Sequence, residues 1–169
     1  MTPSDQEGSE MNPFKRSLLG DETTHEIAKL MQANLADLVD AALLLKQAHW
    51  NVTGKHFQPV HEQLDEVVET LRGAGDDVAE RIATLGASPD GRSHSVSAES
   101  RLASFPAGFH STESTVTAVA DALKVLIEGL RESIEPMGDL DPISEDLLIG
   151  ITAEIEKHFW MLQAQEVSQ

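Results

Sequence analysis

Apolar positions recur along this chain at spacings of three and four, the period of helices that bury one face, without the alternation of a half-buried strand. From Asp21, the stripe Leu35, Leu38, Ala42, Leu45 and His49 predicts a first helix that stops in Asn51-Val52-Thr53-Gly54. A second helix is expected from about Phe57, with Pro59 tolerated in its first turn. Its stripe is Val60, Leu64, Val67, Leu71, Val78, Ile82 and Leu85, and it ends at Gly86. Ser111 reads as the N-cap of a third helix carrying Val116, Val119, Leu123, Leu126, Leu130 and Ile134, closed by Pro136-Met137-Gly138. A fourth begins at Asp141-Pro142 and runs through Leu148, Ile151, Ile155, Phe159 and Leu162. Residues 86–110 are rich in Gly, Pro and Ser, but about 25 residues of plain loop would be unusual in a compact domain. AESRLASF, Ala98–Phe105, can form a short helix there.

Short links make the first and second helices, and the third and fourth, antiparallel neighbours, while the long link carries the chain the length of the bundle. The expectation is all-α: a ferritin-like four-helix bundle with one long crossover carrying a short helix, over residues 19–169. Residues 1–18, with little periodicity, read as a flexible tail. Gly73 and Gly75 inside the second helix each cost about 1 kcal/mol relative to Ala. They mark either close approach of another helix or plain tolerance.

The 169 residues, 40% hydrophobic, suit one domain with one core. Twelve basic against 29 acidic residues give a formal charge of -17, which argues against a sequence-independent grip on nucleic acid and favours attraction of cations. With no cysteine, thiolate metal sites, iron–sulfur clusters, disulfides and Cys nucleophiles are excluded, so a metal would be held by His and carboxylate. MTPSDQEGSE is polar and acidic, and no stretch approaches about 18 uninterrupted apolar residues. A soluble, cytoplasmic protein with no membrane partner is expected.

The candidate chemistry lies around the link between the first two helices. His61 and Asp65 are an i, i+4 pair, as are Asp76 and Glu80, and the four share an arc of about 100°. Either pair alone reads as a solvated flank, with Arg72 and Arg81 to compensate the acids, and His49 alone reads as a satisfied core residue. Antiparallel packing, however, brings His49 level with His61 and Asp65. Such nitrogen and oxygen donors suit divalent iron, manganese or zinc. Asp76 follows His61 by 15 residues, about 22 Å along a helix, so one metal cannot touch both. If all five residues serve one site, the missing half comes from another chain. Two second helices then run antiparallel across a twofold axis near residue 70 or 71, creating two identical sites.

The run KQAHWNVTGKHFQPVHEQLDE, followed by DDVAERIATLG, resembles the signature of the Dps family, the mini-ferritins named DNA-binding proteins from starved cells. The resemblance spans roughly residues 21–165 and continues weakly to Lys157-His158-Phe159-Trp160. It implies that His49, His61 and Asp65 of one subunit, with Asp76 and Glu80 of its twofold mate, form an intersubunit ferroxidase centre. It also implies a hollow dodecamer with tetrahedral symmetry that oxidises Fe(II), with hydrogen peroxide preferred over oxygen. The ferric product is stored as mineral, protecting against oxidative damage; zinc or manganese can occupy the same donors.

Trp50 matches a family tryptophan near the centre that would intercept stray oxidising equivalents, with ordinary packing as the alternative; for Trp160 packing is expected. Acidic residues at the start of the last helix line threefold pores in the family. Here Asp139, Asp141, Glu145 and Asp146 stand in that segment, Asp146 being the best match and Asp141 the next. For Asp141 before Pro142 a helix cap is the alternative. The tail departs from DNA-binding members: Lys15 and Arg16 follow Asp5, Glu7 and Glu10, and QAQEVSQ has no basic residue. Direct DNA binding is therefore disfavoured, with divalent-cation bridging as its route. A larger-ferritin site would need Glu-x-x-His on two helices, and only Glu22-Thr23-Thr24-His25 fits. The competing functions are a di-metal hydrolase using the same ligands to activate water, and a DNA-compacting stress protein.

Overall fold

The computed structural model describes residues 13–167. The expected flexible tail, 1–18, falls mostly outside them, as does the last part of QAQEVSQ. In chain order the elements are α1 (Asp21–Asn51), β1 (Val52–Thr53), α2 (Phe57–Thr84), α3 (Ser93–Glu99), β2 (His110–Ser111), α4 (Thr112–Leu140) and α5 (Pro142–Glu166). Helix α1 packs on α2 and α4 on α5, while α1–α4 and α2–α5 contacts close the four long helices into a bundle.

The apolar stripes meet inside. Ile27, Met31, Leu38 and Leu45 from α1, Leu64, Leu71 and Val78 from α2, Leu123, Leu126 and Leu130 from α4, and Leu148, Ile155 and Leu162 from α5 are all fully buried. Each such side chain contributes about 1.5–3 kcal/mol relative to exposure. Ser111 caps α4 by accepting from the Ser114 N–H, and Asp141 caps α5 with Pro142 in its first turn. None of the described helices is long and apolar enough to cross a membrane.

Three details depart from the sequence reading, and one left open there is decided. Helix α4 does not close at Pro136 but runs to Leu140. Proline removes one N–H donor, yet the fully buried Met137 anchors the last turn and accepts from the Asp141 N–H at 2.8 Å. The crossover helix is Ser93–Glu99, not Ala98–Phe105. Arg101 donates its backbone N–H and Nε–H to the buried Asp37 carboxylate at 2.8 and 2.7 Å, and the Ser100 hydroxyl donates to Asp40 at 2.6 Å. These tertiary bonds hold the segment extended where local propensity allows a helix.

Gly73 and Gly75 serve no close approach within the chain: a Cβ on Gly73 would meet nothing within 4 Å, and one on Gly75 only Leu38 at 3.9 Å. The tightest glycine is Gly129, where a Cβ would collide with the Arg101 guanidinium. Finally, β1 and β2 form a two-residue parallel pair, Val52 opposite His110 and Thr53 opposite Ser111, an addition to the all-α plan. It ties the α1–α2 turn to the start of α4. Within that turn Gly54 adopts φ +107°, a left-handed conformation that glycine reaches without a Cβ clash.

Candidate metal centre

His49 lies in the last turn of α1 and His61 in the second turn of α2, so the tight link folds one imidazole onto the other. The rings stack with centroids 3.7 Å apart and planes 21° from parallel. The contact is reciprocal: His49 Nδ1 is 2.9 Å from the His61 carbonyl oxygen, and His61 Nδ1 is 3.0 Å from the His49 carbonyl oxygen. A carbonyl only accepts, so both Nδ1 atoms carry the proton and both Nε2 atoms keep their lone pairs. That tautomer, fixed from behind by backbone, is what a histidine needs to ligate a metal.

Asp65 stands beside them, with Oδ1 3.4 Å from His49 Nδ1 and 2.5 Å from Lys46 Nζ. The Lys46 hydrogen bond holds its carboxyl below the ordinary range against the opposing effect of desolvation, helped by the charge of Lys46. Asp65 is therefore anionic near neutrality. His49 is buried, whereas the Asp65 side chain keeps 51% of its surface exposed. The group thus lies at the edge of the bundle, one imidazole inside and the carboxylate open to solvent.

The fold brings together three of the five predicted ligands. Asp76 and Glu80 are exposed on the same flank of α2, farther along the helix. Among the described residues, no three His, Asp or Glu side chains of one chain form a metal-holding group. Arg81 does not compensate these acids: it donates to Ser144 Oγ at 2.9 Å and to Asp141 Oδ2 at 2.5 Å.

Asp141 is only 6% exposed and accepts from the Ser144 N–H and hydroxyl as well as from Arg81. Burial pushes its carboxyl up, but the bonds from Ser144 and Arg81 outweigh this and hold it below the ordinary value. Its geometry is that of a helix cap within an ion pair, while Asp146 is exposed. Trp50 and Trp160 are 65% and 64% exposed, so the expected packing of either inside the chain does not occur. Lys46 Nζ lies 6.0 Å from the Trp50 ring centroid.

Two features escaped the sequence reading. Lys46 engages Asp65, a contact foreshadowed only by its place one turn before His49. A groove of about 580 Å³ between α2 and α5 carries Glu66, Glu69, Asp77, Asp146 and Glu154, with His158 at its wall. Burial lowers the affinity of His158 for a proton, with Glu66 partly opposing, and the ring bonds Thr70 through Nε2 at 2.9 Å. These positions belong to different helices, so no local motif announces them.

Known proteins bear on this geometry. Residues 28–167 match the ferritin-like domain family. The DNA protection during starvation protein of Mycolicibacterium smegmatis is 38% identical over 154 residues, covering 91% of this chain and 84% of that one. Among solved structures, the tetragonal form of Mycobacterium smegmatis Dps aligns with a TM-score of 0.88 and 38% identity, over 94% of this chain and 96% of that one. Dps from Microbacterium arborescens in the high iron form aligns with a TM-score of 0.84 and 29% identity, over 89% and 98%. Sequence, fold and helix order agree, and the chain belongs to the Dps branch of the ferritin-like family.

Proposed function

We propose that this protein oxidises Fe(II) and stores the ferric product, a mini-ferritin whose centres lie between subunits. His49, His61 and Asp65 of one subunit, with Asp76 and Glu80 of a twofold-related one, hold the substrate iron. The observation that carries this reading is the reciprocal bonding of His49 and His61, which commits both Nδ1 atoms to backbone carbonyls and leaves both Nε2 atoms free to ligate, with the anionic Asp65 close by. This donor set fits Fe(II), and equally Zn(II) or Mn(II), which would compete for it.

Two Fe(II) ions giving one electron each reduce one hydrogen peroxide, with two protons, to two waters. Pairing the electrons in this way releases no hydroxyl radical; oxygen is the slower oxidant. Trp50, exposed beside Lys46, is placed to intercept stray oxidising equivalents. The assembly is a tetrahedral dodecamer in the cytoplasm, with Asp146 rather than the engaged Asp141 lining the threefold entry for iron. Relatives carry DNA protection in their name. Here the route to it is removal of iron and peroxide rather than direct contact, because a charge of -17 opposes phosphate binding.

The test is Fe(II) oxidation by the assembled apo protein, followed by absorbance with peroxide and with oxygen, beside His61→Ala, Asp65→Ala. Rapid, peroxide-favoured oxidation that falls at least about tenfold in the variant, with soluble iron retained by the wild type, supports the reading. Equal rates in the two proteins, or wild-type rates no faster than buffer, overturn it.

A further inference from the structure

The pairs His61/Glu80 and Asp65/Asp76 share one midpoint along α2, between Thr70 and Leu71, and Glu69/Arg72 is centred on the same point. At about 100° per residue, Glu69 and Arg72 stand about 60° apart, symmetrically about the middle of the arc that the four ligands span. Both are exposed, and among the described residues no carboxylate forms an ion pair with Arg72. We propose that Arg72 is a positioning residue. It pairs across the twofold axis with Glu69 of a second copy of this chain, and this reciprocal pair sets the register in which the two halves of each metal centre meet. The inference rests on the two-subunit centre.

A twofold axis perpendicular to two antiparallel helices brings positions equidistant from the midpoint to the same height. Glu80 then stands level with His61 of the partner subunit, Asp76 with Asp65, and Arg72 with Glu69. A slip of one turn, about 5.4 Å, breaks this agreement in either direction. One slip sets Glu69 against Asp76 and Asp65 against Glu80, carboxylate on carboxylate. The other directs Arg72 onto Asp65 and so occupies a metal ligand. An ion pair in open water contributes little, but this one has apolar surroundings on its α1 side. Leu43 is 59% exposed there, next to a groove of about 380 Å³ lined by Leu38, Leu71, Arg72 and Gly75. A second copy seated on that face removes water from around the pair and strengthens its preference for one register.

The test uses Arg72→Glu and Glu69→Arg, each expressed alone and the two co-expressed with different tags. In an assembly of either variant alone, both cross-axis pairs become like-charged. In a mixed dimer both are restored, while the Glu69–Arg72 contact inside each chain stays like-charged, so rescue reports only the intermolecular pair. Each variant alone is expected to bind Co(II) about tenfold more weakly at low salt. Mixed dimers should regain wild-type Co(II) binding and form in excess of random mixing. Mixed dimers no better than the single variants, or single variants equal to wild type, overturn the proposal. If a reversal prevents folding, Arg72→Gln replaces it: a salt-sensitive loss of Co(II) affinity of about threefold is expected, and no loss overturns the proposal. Co(II) binding lost in His61→Ala, Asp65→Ala but normal in the Arg72 variants refutes the register pair alone; binding retained in all of them refutes the centre itself.

Discussion

Arg81, near the end of α2, reaches 60 residues along the chain to the Asp141 carboxylate that caps α5. One buried anion thus fixes the start of the last helix and its contact with the second. Asp141→Asn keeps a capping oxygen and removes the charge. It should cost about 1–3 kcal/mol at neutral pH, read from denaturant midpoints. The carboxyl titrates lower in the folded chain than its ordinary 3.8, so its contribution is present above that value and is lost as pH falls through the folded value. The gap between wild type and variant should therefore close below about pH 4. A gap independent of pH would mean that the charge contributes nothing.

Asp146 carries no such structural duty. Asp146→Asn should leave stability within about 0.5 kcal/mol of wild type, as expected for a surface change, yet slow iron entry into the assembled shell. Stopped-flow uptake at low ionic strength checks this, and unchanged uptake would remove Asp146 from the iron path.

The clamp of the crossover on α1 gives a prediction of sign. Asp37 is fully buried and its carboxylate is held by Arg101. Arg101→Ala leaves an uncompensated buried charge and should cost about 3–5 kcal/mol. Gly129→Ala should also destabilise the wild type, because the new methyl displaces the Arg101 guanidinium. In the Arg101→Ala background that obstacle is gone, and Ala becomes the better helix former by about 0.5–1 kcal/mol. A double-mutant cycle by chemical denaturation should show the effect of Gly129→Ala reversing; simple additivity would refute the clash.

His158 predicts a second pH effect. Burial depresses its proton affinity in the folded chain below the ordinary 6.5, so the unfolded chain binds the proton first as pH falls. Stability should decline as pH is lowered through about 6.5, until the folded ring also titrates. His158→Gln retains a partner for Thr70 and should flatten that decline, measured by urea unfolding between pH 5 and 8. An equal slope in both proteins would show that His158 is not responsible.

The four long helices were legible because their stripes are continuous and their ends carry local signals, Ser111 and Asp141 above all. Pro136 misled because a buried methionine one residue later outweighs a missing donor. The crossover helix was misplaced for a related reason: the partners of Arg101 and Ser100 lie on α1, and no window of sequence contains both. At the candidate metal centre, His49, His61 and Asp65 could be brought together by counting along an antiparallel pair. Lys46 escaped notice because a lysine on a helix flank resembles any solvated cation until its acceptor is placed beside it. Asp141 had two readings in sequence, and the arrival of Arg81 from α2 gives the cap its physical basis.

The short pairing of Val52–Thr53 with His110–Ser111 means that the turn bearing the two histidines is gripped from the other half of the chain. The grip is reinforced where the Thr112 hydroxyl donates to the Lys55 carbonyl at 2.8 Å. A protease that severs the crossover would therefore produce a nicked molecule rather than two separate hairpins. Its fragments would elute together and keep the stacked imidazoles, whereas the first hairpin made alone would lack the clasp that holds its two-histidine turn in shape.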